Sequence, residues 1–233
     1  MSSGLQPIAN KIFVGLSSSY DRVLDLATLL QDRYWKKWLL KSASFRVGEQ
    51  VLDVGCGTGV LEERLPMGLG RVVGLDLTEE MLRIAQRKGV TSGSLYLGDA
   101  QNLPFRDDSF DLVLSCYVVK YTSASSMASE AFRVLRSGGR FVTYDFSVPQ
   151  GVYAPFIYFY IYGVLRIMGA IMSLANSSSA FTYQVLPSII QTRRWNLDFA
   201  EALRSAGFSE VRTKELSGGA ASGFWAIKPG AAR

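Results

Sequence analysis

Short apolar runs alternate with amphipathic segments along the middle of the chain. The apolar runs predict strands at 50–54, 71–75, 94–97, 110–115 and 140–146. Helical spacing of apolar residues between these runs predicts helices at 61–65, 79–87 and 125–135. Because the runs lack polar alternation, they are typical of strands that are buried on both faces. The repeated order of strand and helix therefore predicts a parallel sheet with helices on both faces.

The two ends of the chain depart from this alternation. Residues 16–41 predict one or two helices, and the pattern of strand and helix breaks after Pro149. An aromatic-rich apolar stretch follows at 152–175. The last predicted elements are a helix at 197–205 and strands at 210–216 and 224–228.

We expect one domain over residues 1–233, because this length suits a single large α/β unit. No internal repeat marks a boundary within it. Its expected parts are an N-terminal helical cap at 1–49, a cofactor-binding core at 50–146, an aromatic lid or insertion at 147–195, and a final helix with a strand hairpin at 196–233.

Composition supports a packed core and excludes several kinds of chemistry. Apolar residues make up 48% and charged residues 19% of the chain, which argues against disorder. The net charge is +5, and the chain has no long basic block, so we expect no nucleic-acid partner. This charge is compatible with binding to an anionic membrane surface. The absence of His excludes His-based triads and a His general base. Cys56 and Cys116 are not in paired spacing, so neither a disulfide nor a metal site is expected.

The apolar stretch at 152–175 is long enough to span a bilayer. Pro155 and Arg166 interrupt it, and a charge at the centre of a membrane span is costly, so a true span is disfavoured. The N-terminus lacks the pattern of a signal peptide. We therefore expect a cytoplasmic protein. Peripheral contact of residues 152–175 with the cytoplasmic membrane is compatible with this expectation.

The first chemical signal is the glycine pattern Gly55-x-Gly57-x-Gly59, directly after the first predicted strand. Glycine lets the backbone turn sharply and approach a ligand closely, and a helix that starts here would supply free N–H groups. The spacing differs from the G-x-G-x-x-G pattern of dinucleotide sites. Taken alone, such a turn can be purely structural.

Two more polar signals follow the next two predicted strands. Asp76 ends one strand, where a carboxylate can accept hydrogen bonds from ribose hydroxyls. Asp99 follows the next, where it can accept from an adenine amino group while Ala100 leaves room for the ring. Each acidic residue could equally be a simple turn residue. Together with the glycines, they place three ligand-suited turns at the ends of successive strands, where open α/β sheets bind ligands.

These motifs resemble those of class I methyltransferases. The matching segments are 51–59 (VLDVGCGTG), 74–76 (GLD), 98–100 (GDA), 103–105 (LPF), 108–111 (DSFD) and 133–140 (RVLRSGGR). The resemblance implies S-adenosyl-L-methionine as cofactor. It also implies a Rossmann-like α/β fold, with a seven-stranded, mostly parallel sheet and an antiparallel C-terminal strand.

A narrower resemblance links most of the chain to the ubiquinone/menaquinone biosynthesis C-methyltransferases. It rests on 20–21 (YD), 145–149 (DFSVP), 188–189 (SI), 206–208 (AGF) and 216–219 (LSGG). The resemblance implies C-methylation of a prenylated quinol, such as demethylmenaquinol. The stretch 152–175 would then be either a helix packed on the core or a lid that accepts the prenyl tail at the membrane.

The resemblance also implies a set of cofactor-binding residues. They are Asp53, Gly55, Gly57, Thr58, Gly59, Asp76, Leu77, Asp99, Ala100 and Ser115. The chain departs from the family's pattern at two places near the expected binding site of the methyl acceptor. Residues 117–120 (YVVK) replace a Gly-x-Arg-Asn stretch, and Ile190 stands where relatives often carry Arg. These departures leave the identity of the methyl acceptor open.

Proton loss from the acceptor needs a group other than His. Asp145 is predicted at the carboxyl end of the fifth strand, and Tyr20 lies in an N-terminal segment that could cover the site. Both are candidate catalytic helpers. Their structural alternatives are a turn residue for Asp145 and a core or lid aromatic for Tyr20.

Other functions compatible with these residues are a methyltransferase acting on another lipophilic or phenolic molecule, a nicotinamide-dependent oxidoreductase, and a non-catalytic binding protein. The glycine spacing argues against a nicotinamide-dependent oxidoreductase. The presence of Asp53, Asp76 and Asp99 argues against a binding protein that has lost its catalytic activity.

Overall fold

The computed structural model describes residues 14, 20–89, 94–149, 151–164, 166–167, 169–170 and 195–230. The predicted motif at 188–189, together with Ile190, lies outside the described residues, as does 171–175 of the aromatic stretch.

A sheet of seven strands forms the centre of the molecule, in the order β3-β2-β1-β4-β5-β7-β6. Strands β1 to β5 run parallel, and only β7 is antiparallel to its neighbours β5 and β6. This confirms the expected fold class. The strands are β1 Val51–Val54, β2 Val72–Asp76, β3 Leu95–Leu97, β4 Phe110–Cys116, β5 Leu135–Phe146, β6 Ser209–Leu216 and β7 Ala221–Ile227.

Helices cover both faces of the sheet. The α-helices are α1 Tyr20–Ala27, α2 Gln31–Ala43, α3 Glu79–Lys88, α4 Ala124–Val134, α5 Ala154–Tyr158 and α6 Trp195–Ser205. Single 3-10 turns lie at Glu62–Arg64, Val119–Tyr121 and Ser217–Gly219, and a π-helical turn at Phe159–Val164 continues α5. Within the described residues, no helix is both long enough and apolar enough to cross a bilayer.

Alternate residues of the strands supply two separate cores. On one face, Val51 and Tyr144 pack under α1 and α2, with Trp35 and Leu39 of α2 almost fully buried. On the other face, Leu52 packs in the core that contains residues of α4 and α6. Burial of every β1 residue explains why this strand shows an unbroken apolar run rather than alternation.

Two predicted boundaries were wrong. The predicted helix at 61–65 is only the 3-10 turn Glu62–Arg64, so no α-helix starts directly after the glycine loop. The fifth strand, predicted at 140–146, begins earlier, at Leu135, and residues 136–139 form a bulge inside β5. There Leu135 pairs with Phe110 of β4, the next pair is Arg140 with Leu112, and Gly138 adopts a φ of 77°. Glycine fits such a bulge because it tolerates positive φ.

Arg140 of β5 fixes the end of α2 to the sheet. Its guanidinium donates to both carboxylate oxygens of Glu49, at 2.7 and 2.8 Å, and to the backbone carbonyl of Ala43 at 3.0 Å. Arg140 and Glu49 are both buried. An unpartnered charge is very costly in such surroundings, so each partner depends on the other.

We expect Arg140→Met to lower the free energy of unfolding by about 3–5 kcal/mol, because it leaves the Glu49 carboxylate buried without its partner. The matched control is Arg136→Met, which removes an arginine of the same strand whose ion pair with Asp111 is solvent-exposed. That change should cost less than about 1 kcal/mol. Urea unfolding of both variants measures the difference, and equal losses would contradict an anchoring role for Arg140.

Candidate functional site

The carboxyl ends of β1 to β4 open onto one cavity of about 310 Å³. Because parallel strands end at the same edge of a sheet, the loops that follow them are brought together here. Asp99, Asp76, Gly57 and Tyr117 line the cavity in the order of their strands. The α1–α2 segment contributes Tyr20 to the wall as well. The volume is in the range of small-molecule sites.

The glycine loop after β1 has the backbone that only glycine adopts easily. Gly55, Gly57 and Gly59 have φ values of 77°, 56° and 81°. A Cβ at Gly55 would lie 2.2 Å from the Val118 side chain, whereas a Cβ at Gly57 would meet nothing within 4 Å. Packing against Val118 therefore excludes any side chain at position 55. At Gly57 the backbone is accessible to a ligand in the cavity. Gly59 closes the turn by donating its N–H to the Cys56 carbonyl at 3.0 Å.

Asp76 joins the end of β2 to this loop. One carboxylate oxygen accepts the Gly57 N–H at 2.9 Å, and the other accepts the Thr78 N–H at 2.8 Å. Burial raises the pKa of Asp76, and these N–H donors oppose the shift. Each carboxylate oxygen can accept a further hydrogen bond, so Asp76 can also accept hydrogen bonds from the hydroxyl groups of a ligand. The neighbouring Leu77 also lines the cavity and is partly exposed.

Asp99 and Ala100 close the β3 end of the cavity. The Asp99 carboxylate accepts the Gln101 N–H at 2.9 Å, and the Gln101 side chain accepts the Ser123 N–H at 2.8 Å. Ala100 is buried with a small side chain. The arrangement places an acidic group beside a small apolar side chain in the cavity wall, which suits a purine base.

Thr58 and Ser115 have different positions. Thr58 lines the cavity, and its hydroxyl donates to Asp21 of α1 at 2.8 Å, which ties the N-terminal helix to the glycine loop. The Ser115 side chain is fully buried, and its hydroxyl donates to the Val54 carbonyl at 2.8 Å. Ser115 therefore fixes the ends of β1 and β4 relative to each other and does not line the cavity.

Asp53 and Glu62 form a buried pair of carboxyl groups. Among the described residues, no N–H or hydroxyl donor reaches Asp53 Oδ1 or either oxygen of Glu62. Burial is the main cause that raises both pKa values, well above the usual range for Asp53 and to about 7 for Glu62. A proton held between two such carboxyls would satisfy these atoms near neutral pH. Asp53 also lines the cavity, so a cation bound there can take the place of that proton.

The β4 end of the cavity is aromatic. Tyr20, Tyr117 and Tyr121 line it, and burial raises the pKa of all three phenols above the usual range. These side chains therefore stay neutral near pH 7, and Tyr20 can act there by hydrogen bonding but not as a phenolate base.

Asp145 lies behind this wall and does not line the cavity. Its carboxylate forms a buried ion pair with the Lys120 ammonium and accepts the N–H groups of Lys120 and Phe146. The Lys120 ammonium lies 4.5 Å from the centroid of the Tyr121 ring. Any effect of Asp145 on a ligand would therefore pass through Lys120 and Tyr121.

Sequence reasoning missed the contribution of α2. Asp32 and Lys36 line the cavity and are buried, on the same face of the helix as Trp35 and Leu39. The available signal was the position of these two charges on an otherwise apolar helical face, where charged residues are rarely found without a partner. In the described part of the chain, no group of acidic or Cys residues could hold a metal ion.

The chain is similar to known methyltransferases over most of its length. The profile of the ubiE/COQ5 methyltransferase family matches residues 4–228. The demethylmenaquinone methyltransferase of Streptomyces avermitilis is 33% identical, over 93% of this chain and 94% of the relative. The ubiquinone/menaquinone biosynthesis C-methyltransferase UbiE of Rubrivivax gelatinosus is 30% identical, over 91% of this chain and 83% of the relative.

The fold also matches solved structures. A SAM-dependent methyltransferase from Aquifex aeolicus superimposes with a TM-score of 0.56 at 19% identity, covering 83% of this chain and 89% of that chain. At this identity the likeness shows the fold alone, and the family match carries the assignment of activity. The chain therefore belongs to the ubiE/COQ5 methyltransferase family and is an S-adenosylmethionine-dependent methyltransferase rather than a nicotinamide-dependent oxidoreductase.

Proposed function

We propose that this enzyme methylates a ring carbon of a prenylated quinol, such as demethylmenaquinol. The observation that carries the proposal is the 33% identity to the Streptomyces avermitilis demethylmenaquinone methyltransferase over 93% of this chain. The aromatic end of the cavity, where Tyr20, Leu24, Tyr117 and Tyr121 meet, supports it because these side chains suit a flat, apolar ring.

The other end of the cavity supports the placement of the cofactor. Asp76, Asp99 and Ala100 line it, so that Asp76 would accept hydrogen bonds from the ribose hydroxyls and Asp99 from an adenine amino group beside Ala100. The open backbone at Gly57 lets a ligand approach the loop closely. When bound, S-adenosylmethionine supplies an electrophilic methyl group on a positively charged sulfur.

The protein's part in the reaction is to align the acceptor, exclude water and help remove a phenolic proton. Loss of that proton makes the ring carbon electron-rich enough to be methylated. Tyr20 lines the acceptor end and, as a neutral phenol, can hydrogen-bond the quinol oxygen. Asp145 stays a proposed helper that would act through Lys120.

We expect purified protein to bind S-adenosylhomocysteine and to transfer a labelled methyl group to a short-chain demethylmenaquinol. Asp99→Asn should weaken binding of S-adenosylhomocysteine by about tenfold, because one carboxylate acceptor is lost. The matched control Asp107→Asn changes an exposed carboxylate and should leave binding unchanged.

Product from the quinol would support the proposal. Cofactor binding without quinol product would move the search to another lipophilic or phenolic acceptor, which the cavity wall formed by Tyr117 and Val118 also allows.

As a helper in proton loss, Asp145 should be needed for turnover but not for binding the cofactor. Asp145→Asn should lower the rate of methyl transfer and change its dependence on pH, while the affinity for S-adenosylhomocysteine stays the same. A pH–rate profile with the quinol tests this. If rate and profile match those of the wild type, Asp145 has no part in catalysis.

We further propose that an apolar surface, formed by the α1–α2 turn and α5, rests on the bilayer that holds the prenylated substrate. Leu29 and Leu30 in the turn and Phe156 and Phe159 at α5 are more than half exposed. The two segments are neighbours, because the Tyr160 hydroxyl donates to the Leu26 carbonyl at 3.1 Å. The net charge of +5 favours an anionic lipid surface.

Vesicles that contain anionic lipid should therefore bind the wild type, and Phe156→Ser/Phe159→Ser should reduce the bound fraction severalfold in a sedimentation assay. The control is Val47→Ser, which removes an apolar side chain that is 90% exposed and precedes β1, outside the proposed surface. Equal binding of all three proteins would exclude this surface as the membrane contact.

A further inference from the structure

Tyr117 has a backbone conformation that is unusual for a bulky residue. It directly follows β4, and its φ is 63°, in the left-handed region. Outside glycine, asparagine and aspartate this region costs conformational free energy, and such strain is typical of functional sites. Residue 117 is also the first of the four at which the chain departs from the family's Gly-x-Arg-Asn pattern, so tyrosine stands where that pattern has glycine.

The turn at residue 117 does not need a tyrosine side chain. It lets Val118 pack on the glycine loop, where a Cβ at Gly55 would lie 2.2 Å from the Val118 Cγ2 atom. The Tyr117 N–H donates to the Tyr144 carbonyl at 3.1 Å, which holds the turn against β5. Glycine would make both arrangements possible without strain, because neither uses the side chain of residue 117. The strain must therefore be offset by what the tyrosine side chain does.

Contacts within the protein fix the Tyr117 side chain in one place. Its hydroxyl donates to Asp32 Oδ1 at 2.7 Å. The centroid of its ring lies 4.8 Å from that of Phe146, 5.1 Å from that of Tyr144 and 6.5 Å from that of Trp35. Because a hydrogen bond and close packing restrict its rotation, the ring is a rigid part of the cavity wall.

The Tyr117 ring separates the cavity from this group of aromatic side chains. Tyr117 lines the cavity, whereas Trp35, Tyr144 and Phe146, which pack on it, do not. A smaller side chain at position 117 would therefore extend the cavity toward the three rings. The extension would lie at the aromatic end, where the acceptor ring is proposed to bind.

We propose that Tyr117 is a specificity-determining residue that limits the size of the acceptor's ring system. Its ring closes the aromatic end of the cavity, so a third fused ring on the acceptor would collide with it. The limit falls between two and three fused rings, because the proposed acceptor, demethylmenaquinol, has two. This inference rests on the proposed function, since it takes the acceptor to be a quinol bound at this end.

Two quinones that differ by one fused ring measure this limit. One is a short-chain demethylmenaquinone, and the other is a linear three-ring quinone with the same chain on the same terminal quinone ring. The oxidised forms bind without being methylated, so isothermal titration calorimetry on the complex with S-adenosylhomocysteine gives their affinities independently of turnover.

Wild type should bind the two-ring quinone at least about tenfold more tightly than the three-ring quinone. Tyr117→Gly removes the ring and suits the positive φ, so it should make the two affinities nearly equal. Each ratio compares two ligands on one protein, so a general loss of affinity or stability cancels.

The matched control is Tyr117→Phe, which keeps the ring and removes the hydrogen bond to Asp32. It should keep the wild-type ratio of affinities. If Tyr117→Gly does not fold, Tyr117→Asn takes its place, because asparagine is smaller than tyrosine and tolerates positive φ.

An unchanged ratio in Tyr117→Gly would overturn the proposal, because the ring would then not set the limit. An equal fall of the ratio in Tyr117→Phe would also overturn it, since the hydrogen bond to Asp32 would then be the cause. Tight binding of the three-ring quinone by wild type would show that no such limit exists. If wild type binds neither quinone, the quinol acceptor fails and the size limit fails with it, whereas the other outcomes leave the quinol acceptor in place.

Discussion

The site depends on one constraint: the parallel strands β1, β2, β3 and β4 end at the same edge of the sheet. This geometry brings together residues that are far apart in the sequence. Asp76 strengthens it, since its carboxylate ties the end of β2 to the Gly57 N–H of the loop after β1. The proposed cofactor contacts of Gly57, Asp76 and Asp99 follow from this edge, because each residue lies in a loop or strand end on it.

The second organising feature is buried charge around the cavity. The Asp53 carboxyl is buried next to Glu62, Asp32 pairs with Lys36, and Asp145 pairs with Lys120 behind the aromatic wall. Low polarity makes each of these groups depend strongly on its partner.

The local pattern of apolar and polar residues was enough to predict much of the fold. Continuous apolar runs identified the parallel strands, because burial on both faces removes polar alternation. The start of β5 was missed, since Gly138 and Gly139 are typical of a turn. Leu135 before them already pairs with β4, and the two glycines form hydrogen bonds with Lys228 after β7, which keeps them in the strand as a bulge. The glycine loop leads into one 3-10 turn rather than an α-helix, and local spacing does not distinguish these.

The order of residues alone determined the family, the parallel sheet and the acidic groups after successive strands, because these depend on short motifs and on periodicity. Tertiary structure decided which side chains face the cavity. It buried Ser115 and Asp145 away from it and brought Asp32 and Lys36 into its wall. In a sequence, charges on a helix are normally assigned to its solvated face. Only the packing of α2 against β5, where Tyr144 meets Asp32, places these two inside the protein.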